Sequence, residues 1–297
     1  MQNREGAVSM GIVLGVDIGG STTKVVGLRG GAPIGMLQVR AADQVTSLYG
    51  AIGNFLRERG EKLADVSHVA LTGVGSSFFS GERIYGIETC HISEFLAVGR
   101  GALCLSGLRE ALVVSIGTGT AFVRAGEGGV ERLGGSGVGG GTVIGLASQM
   151  LGKSDIDAIL ALADGGRLEN VDLSVRDIIG GDIPSLPSNL TAANFGKIKS
   201  TASESDIALG IINMVFETVG MLAVFALRNE PLRDVVLTGT LTRCPQLKPT
   251  LDGFSGLFGL TFTIPPDAVF ATALGAAQAC AEHNSEKYST NRSTQAP

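Results

Sequence analysis

Charge of either sign is scarce in this sequence. Only 17% of the 297 residues are charged, and the formal net charge at pH 7 is -5. Proteins that bind a nucleic acid backbone usually carry clustered lysine and arginine, and no such stripe is present. We therefore expect no nucleic acid partner.

Cysteine is also scarce. The four cysteines lie far apart, form no CxxC pair and have no histidine at zinc-finger spacing, although one of them adjoins His91; they are Cys90, Cys104, Cys244 and Cys280. This pattern favours plain buried thiols in a reducing compartment over a metal site.

Long apolar runs are absent as well. Hydrophobic residues make up 44% of the chain. Glycine, serine or charged residues break every run short of the roughly 20 residues that a membrane helix needs. The first ten residues include Arg4 and Glu5 and have no apolar segment of the kind that a secretory signal contains. We expect a cytoplasmic protein with no membrane segment.

Glycine, by contrast, is abundant. The chain has 44 glycines, and several are clustered at positions 19–20, 134–135 and 139–141. Without a collagen-like period, such clusters mark tight turns or places where the backbone comes very close to a ligand. The chain is long enough for one or two domains with their own cores.

The order of predicted elements is repeated along the chain. In the first half, three strands are followed by a helix, a strand and a second helix: Gly11–Ile18, Thr22–Leu28, Ile34–Arg40, Gln44–Glu58, Val69–Thr72 and Ile92–Leu105. The second half starts again with three strands and is completed by helices and strands: Ala111–Ile116, Ala121–Ala125, Val130–Leu133, Glu204–Leu227, Asp234–Leu237, Leu260–Ile264 and Val269–Ala281. This repetition predicts an α/β fold of two duplicated domains, 1–108 and 109–297, with a nucleotide in the cleft between them. Residues 282–297 are polar, and we expect a disordered tail there.

The first turn has the residue types of a nucleotide-binding loop. Asp17 ends a strand, Gly19 and Gly20 form the turn, and three hydroxyl residues and Lys24 follow. Backbone N–H groups at the glycines can face phosphate oxygens, the lysine adds positive charge, and the aspartate can hold Mg²⁺ through water. An ordinary Gly-Gly hairpin turn is the alternative. A Rossmann domain fits less well, because the glycines lead into a strand and no GxGxxG follows a strand there.

Two more glycine-rich segments have similar properties. The segment Ser115–Thr120 repeats the first turn at the start of the second half and indicates an opposing phosphate clamp, with a simple turn as the alternative. The segment Arg132–Thr142 contains three consecutive glycines and precedes an apolar helical pattern over Val143–Leu151. Glycines at a helix entrance can direct N–H groups at an anion. A linker is the alternative for this segment.

Glu94 is the only carboxylate in an apolar, helix-like segment, His91–Arg100. Desolvation in such a segment would raise the pKa of the carboxyl group and suit a general base. From the pattern alone, an exposed helix glutamate or a capping partner of His91 and Ser93 is favoured over catalysis. His68 and His91 are likewise more typical of surface or satisfied polar residues.

Together these segments resemble the type II pantothenate kinases over nearly the whole chain, from about Gly15 to Ala281. The segments 17–24 and 115–120 are similar to the two phosphate loops of that family, and 132–142 is similar to its arginine and glycine-rich helix entrance. The segment Leu190–Lys197 is similar to a signature of the bacterial members. The resemblance implies two ribonuclease H-like domains of the actin-like ATPase superfamily. It also implies ATP and Mg²⁺ as cofactors, pantothenate as the substrate and 4'-phosphopantothenate as the product, the first step of coenzyme A biosynthesis.

The resemblance also assigns roles to residues. Glu94 matches the catalytic glutamate that accepts the proton of the 4'-hydroxyl of pantothenate, and Arg132 matches an arginine that stabilises charge on the transferred group. Asp17 is the implied metal residue. The implied nucleotide-binding residues are Asp17, Ile18, Gly19, Gly20, Ser21, Thr22, Thr23, Lys24, Gly117, Thr118, Gly119, Gly140, Gly141, Thr142, Val143, Ile144, Gly239 and Thr240. Some bacterial members carry a tyrosine beside the nucleotide, whereas this chain has no aromatic residue between Phe122 and Phe195.

Other functions share parts of this pattern. An ATP-dependent activator of a radical dehydratase has the same two turns and holds an iron-sulfur cluster between subunits, for which Cys90 and Cys104 are the candidate ligands. A sugar kinase would usually have a zinc-binding cysteine cluster or an aspartate in place of Glu94. A non-catalytic nucleotide-binding regulator would not need both Glu94 and Arg132. The helix predicted at Ile207–Leu227 is apolar around its whole circumference, which favours a homodimer interface.

Overall fold

The computed structural model describes residues 11–41, 43–79, 81, 83–180 and 187–293. The strands are β1 Ile12–Ile18, β2 Thr22–Arg29, β3 Ala32–Arg40, β4 Val66–Thr72, β5 Arg83–Ile84, β6 Ile87–His91, β7 Ala111–Ile116, β8 Thr120–Gly126, β9 Gly129–Ser136, β10 Leu173–Ser174, β11 Thr191–Ala193, β12 Asp234–Thr238 and β13 Thr261–Thr263. The α-helices are α1 Gln44–Arg59, α2 Glu94–Ser106, α3 Gly140–Leu151, α4 Ile156–Leu162, α5 Val175–Ile179, α6 Glu204–Leu227, α7 Leu247–Phe258 and α8 Ala271–Ser293.

The first lobe is built on a sheet with the strand order β3-β2-β1-β4-β6-β5. The strands β1, β2 and β3 are antiparallel neighbours, whereas β4 runs parallel to β1 and β6 runs parallel to β4. All seven residues of β1 are buried. This burial explains the almost continuous apolar sequence of β1, because α1 covers one face of the sheet and α8 covers the other.

The second lobe has the same topology. Its sheet has the order β13-β12-β7-β8-β9, in which β7, β8 and β9 are antiparallel, β12 is parallel to β7 and β13 is parallel to β12. Helices α3, α4, α6 and α7 cover one face, and α2 covers the other. The repeated topology confirms the predicted duplicated α/β fold.

A close crossing of α2 and α8 joins the two lobes. A Cβ on Gly101 would lie 1.8 Å from the carbonyl oxygen of Ala271, and a Cβ on Gly275 would lie 1.8 Å from that of Ala97. Only glycine allows the two backbones to approach this closely. The predicted boundary at 108/109 falls between α2 and β7, yet α8, at the end of the predicted second domain, packs on the first sheet.

The C-terminal segment differs from its prediction. We expect a disordered tail from residue 282, but α8 continues to Ser293. The sequence between Ala281 and Ser293 contains no glycine or proline, so no residue type in it terminates a helix. Residues 294–297 lie outside the described residues. Short elements that the sequence pattern did not predict are β5, β6, α4, α5, α7, β10 and β11.

Helix α6 lies in the core of the second lobe. A capping box of Ser203 and Asp206 starts the helix, with the serine hydroxyl accepting from the Asp206 N–H. By length and composition the helix could cross a membrane, but 61% of its most apolar stretch is buried inside the fold. Its apolar circumference therefore reflects contacts with α3, α4, α7 and the second sheet.

Candidate active site

Asp17 and Lys24 form a buried ion pair at the end of the first hairpin. They lie opposite each other on β1 and β2, with Lys24 Nζ 3.4 Å from Asp17 Oδ2. Lys24 is 7% exposed and Asp17 is 8% exposed. Because little water reaches either group, each charge depends on the other for compensation. The turn is closed by the Gly19 N–H, which donates to the Thr22 carbonyl oxygen at 3.0 Å, and Gly20 is exposed at its tip.

Glu94 lies at the same edge of the first sheet as this ion pair. Three parallel strands, β1, β4 and β6, end together at this edge, and Glu94 begins α2 directly after β6. Desolvation raises the pKa of the Glu94 carboxyl group above its usual value, and the negative charge of Asp17 raises it further, while Lys24 opposes the shift. The residue remains accessible to solvent. Ser93 makes no side-chain capping bond, so the capping interpretation is wrong.

Arg132 approaches the start of α2 from the second lobe. It lies on β9 opposite Val123, and its Cζ is 4.9 Å from the centre of the Phe95 ring. A guanidinium group over an aromatic face is attracted by the ring, by about 0.5–1 kcal/mol at exposed sites. Phe95 is the next residue after Glu94, so Arg132 contacts the first turn of α2, in which Glu94 also lies.

The three glycines at the entrance of α3 pack against the second turn. A Cβ on Gly139 would lie 2.8 Å from the Thr118 carbonyl oxygen, and a Cβ on Gly140 would lie 2.9 Å from that of Gly117. The N–H groups of Gly140 and Gly141 donate to the carbonyl oxygens of Gly117 and Thr118, both at 2.8 Å. The expectation that these N–H groups point at an anion is therefore wrong for both glycines. Here the glycines allow close packing of the helix entrance on the turn.

The Gly239-Thr240 turn lies beside the same region. It follows β12, whose Thr238 is opposite Ser115 of β7, and a Cβ on Gly239 would lie 2.5 Å from the Ile116 carbonyl oxygen. The structure thus brings three predicted nucleotide segments together: 117–119, 140–144 and 239–240. The side chains of three predicted nucleotide residues are fully buried, which leaves only their backbone for a ligand: Ile18, Thr23 and Val143.

Several polar residues that the sequence pattern did not indicate connect the lobes near this site. Gln38 pairs with Lys24 in the first sheet and accepts a hydrogen bond from Arg243 of the second lobe at 3.1 Å. Arg40 pairs with Thr22 and forms a 3.0 Å ion pair with Asp155, which caps α4. No local signal marks these residues, because each contact joins positions more than a hundred residues apart.

The signature segment 190–197 is anchored to α6. Thr191 and Asn194 donate to the carboxylate of Glu217 at 2.7 and 2.8 Å, and the Phe195 N–H donates to buried Asp172 at 2.8 Å. Asp172 is held in turn by Asn213 of α6. A polar network therefore fixes this segment to the core helix α6.

Asp17 has a carboxylate that can hold a cation at this site. In the described part of the chain, no group of three or more His, Cys, Asp or Glu side chains is placed to hold a metal. A single carboxylate suits Mg²⁺, which keeps several waters and usually takes its other ligands from substrate phosphates. The four cysteines all lie in the described ranges and form no disulfide. Cys104 Sγ lies 2.9 Å from Nε2 of Gln278, which donates to it.

Comparison with known proteins finds related sequences and related folds. The family model described as Fumble matches residues 110–251. A type II pantothenate kinase of Bacillus cereus (strain G9842) is 27% identical over 220 residues, which cover 71% of this chain and 81% of that protein. These matches confirm the resemblance to the type II pantothenate kinases.

Solved structures share the fold of this chain. The activator of the 2-hydroxyisocaproyl-CoA dehydratase from Clostridium difficile, with bound ADPNP, has a TM-score of 0.69 at 17% identity, covering 94% of this chain and 97% of its own. A ROK family glucokinase from Streptomyces griseus, in complex with glucose and AMPPNP, has a TM-score of 0.59 at 12% identity, covering 90% of this chain and 98% of its own. The fold is the duplicated ribonuclease H-like fold of the actin-like ATPases and ROK sugar kinases.

Proposed function

We propose that this protein is a pantothenate kinase, which transfers the γ-phosphoryl group of ATP to the 4'-hydroxyl of pantothenate. The proposal rests mainly on the position of Glu94, whose raised pKa is partly due to the charge of Asp17 in the predicted phosphate-binding turn. A proton acceptor and a phosphate-binding turn at one sheet edge are the parts that phosphoryl transfer to an alcohol needs. The similarity to proteins named type II pantothenate kinase supports pantothenate as the acceptor.

Glu94 accepts the proton of the attacking hydroxyl group. A general base works best when its pKa is close to the operating pH. Desolvation raises the pKa of Glu94 and so moves it toward neutral pH. Arg132, held over the Phe95 ring, supplies positive charge to the transferred phosphoryl group from the second lobe. Both residues act through position and charge, on which phosphoryl transfer mainly depends.

The nucleotide binds between the lobes. Its phosphates are bound from the first lobe by residues 17–24, which include Lys24. The second lobe contacts it through the segments 117–119, 140–144 and 239–240. Asp17 holds Mg²⁺ through the water ligands of the ion. When bound, Mg²⁺ neutralises charge on the phosphate oxygens.

The assembly and location follow from the same proposal. The enzyme is a cytoplasmic homodimer, and the edge of α6 around Phe225, which is 58% exposed, forms part of the interface. A phenylalanine with this much exposed surface on an otherwise buried helix is typical of an interface residue.

An ATPase activator of a radical dehydratase is the second candidate, because such a protein has the TM-score of 0.69 given above. At 17% identity this likeness concerns the fold alone. The activator hypothesis needs a cysteine-ligated cluster, with Cys90 and Cys104 as its candidate ligands. Iron analysis and the visible absorption spectrum of protein purified without oxygen test it: an iron-sulfur spectrum would favour the activator.

A coupled ADP-release assay across acceptors tests the kinase proposal. We expect ADP release with pantothenate and Mg²⁺, and much slower release with glucose, N-acetylglucosamine or no acceptor. The same reactions with EDTA test the Mg²⁺ requirement. Equal ADP release with and without pantothenate would contradict the proposal.

A further inference from the structure

A Thr-Gly pair occurs at the same place in both lobes. Thr72 ends β4 and Gly73 follows it, and Thr238 and Gly239 stand in the same way at the end of β12, the corresponding strand of the second sheet. Each glycine starts a short 3₁₀ helix, and the two glycines have nearly the same backbone angles, φ 83° and ψ 164° at Gly73 and φ 94° and ψ 177° at Gly239. Each threonine hydroxyl is buried with no hydrogen-bond partner among the described residues.

Both glycines are held against the strand that leads into the phosphate turn of their own lobe. This backbone region is accessible essentially only to glycine. A Cβ on Gly73 would lie 2.5 Å from Asp17 Oδ1 and 2.7 Å from the Ile18 carbonyl oxygen. A Cβ on Gly239 would lie 2.5 Å from the carbonyl oxygen of Ile116, at the corresponding place in the second lobe.

The two oxygens of the Asp17 carboxylate therefore have different neighbours. Lys24 Nζ lies 3.4 Å from Oδ2, whereas Oδ1 lies 2.5 Å from where a Cβ at position 73 would stand. The carboxylate can take this orientation because glycine has no Cβ.

We infer that Gly73 is a positioning residue, whose missing Cβ lets the Asp17 carboxylate take the orientation that the Mg²⁺ complex of the nucleotide needs. The inference rests on the proposed role of Asp17 toward Mg²⁺. A methyl group at position 73 has to displace the carboxylate or the backbone of Ile18, because both lie closer to the Cβ position than real Cβ atoms approach. A displacement of the carboxylate leaves in place the nucleotide contacts that do not involve the metal.

The variant Gly73→Ala tests this inference with Gly31→Ala as its matched control. Gly31 has almost the same φ, 82° against 83°, but has no atom within 4 Å of its Cβ position. Calorimetry measures the affinity for ATP in the presence of Mg²⁺ and in EDTA. We expect Gly73→Ala to lose the Mg²⁺-dependent part of the affinity and to keep the affinity in EDTA, and Gly31→Ala to match the wild type in both. Because a 1 Å misplacement can cost about 100-fold in rate, we also expect kcat to fall by about 10- to 100-fold, with a smaller change in the KM for pantothenate.

A second variant keeps the test independent of the folding of Gly73→Ala. Asp17→Glu keeps the charge, but its longer side chain moves the carboxylate into the space beside Gly73. We expect it to lose Mg²⁺-dependent affinity as Asp17→Asn does. Wild-type Mg²⁺-dependent affinity in Asp17→Glu, or in folded Gly73→Ala, would overturn the inference. The calorimetry contains no pantothenate, so its result does not depend on the acceptor. A failure of the pantothenate proposal would be seen separately, in the coupled ADP-release assay.

Discussion

At the scale of single residues, Glu94 combines a proposed catalytic role with a cost in stability. Its pKa is raised in the folded protein by desolvation and by Asp17, so the folded state binds this proton more tightly than the unfolded state does. The free energy of unfolding therefore falls as pH rises from the ordinary value of 4.5 through the raised value. We expect Glu94→Gln to unfold at a higher temperature than the wild type at neutral pH, and the difference to shrink below pH 4.5. Thermal unfolding across pH measures this, and equal unfolding temperatures at neutral pH would contradict the assigned environment.

The same variant tests the role of Glu94 in the reaction. Loss of a general base typically lowers the rate by about 100- to 10,000-fold, and we expect kcat of Glu94→Gln to fall in that range. ATP binding should be nearly unchanged, because the proposal assigns nucleotide binding to Asp17, Lys24 and the two turns. Glu127→Gln, at an exposed turn carboxylate, is the control. A kcat close to that of the wild type would make Glu94 a structural residue.

Phe95 is expected to act through Arg132. Removal of a cation-π contact costs about 0.5–2 kcal/mol, so Phe95→Leu should lower kcat by about 2- to 30-fold, while Phe95→Tyr, which keeps the ring, should retain most activity. In an Arg132→Ala background, Phe95→Leu should have little further effect, because the cation is already absent. Steady-state kinetics of the four variants measure the coupling. Independent, multiplying losses would show that Phe95 does not position the arginine.

At the scale of elements, the crossing of α2 and α8 holds the lobes together through backbone contact. Gly275→Ala places a Cβ 1.8 Å from a carbonyl oxygen, so we expect a destabilisation of about 3 kcal/mol, the upper end of the usual cost of overpacking. Gly53→Ala, in the exposed interior of α1 with no atom within 4 Å, should instead raise stability by up to about 1 kcal/mol. Chemical denaturation measures both. A Gly275→Ala protein as stable as the wild type would mean that the helices can separate at little cost.

The elements also show how far local sequence patterns can predict this protein. The hairpins β1–β2 and β7–β8 were predictable, because apolar strands and Gly-containing turns are local signals. The pattern around Glu94 favoured an exposed or capping glutamate, and the residue is indeed exposed. Its position near Asp17 was not predictable, because it depends on three parallel strands ending at one edge. The N–H groups of Gly140 and Gly141 were misassigned for a similar reason, since their acceptors lie in a turn more than twenty residues earlier. The repeated Thr-Gly pairs are visible in the sequence. Their shared backbone angles and the closeness of Gly73 to Asp17 are visible only in the structure.

At the scale of the whole molecule, we expect a homodimer that uses the exposed edge of α6. Most of the helix is buried within its own lobe, and Phe225 is the large apolar side chain on it that remains 58% exposed. Light scattering should give twice the chain mass of 30.4 kDa. Phe225→Asp should shift the protein toward the monomer, whereas Phe78→Asp, which changes a phenylalanine that is 67% exposed on another surface, should leave the dimer intact. A monomeric wild type at micromolar concentration would contradict the proposed interface.

The central proposal concerns one bond, between a phosphoryl group and the 4'-hydroxyl of pantothenate. Mass spectrometry and phosphorus NMR of a reaction with ATP, Mg²⁺ and pantothenate detect that bond directly. The account predicts a pantothenate heavier by one phosphoryl group, with the phosphorus on the 4'-oxygen, formed in equal amount to ADP and almost absent with Glu94→Gln. Unmodified pantothenate beside accumulating ADP would contradict it, and so would equal product formation by wild type and Glu94→Gln.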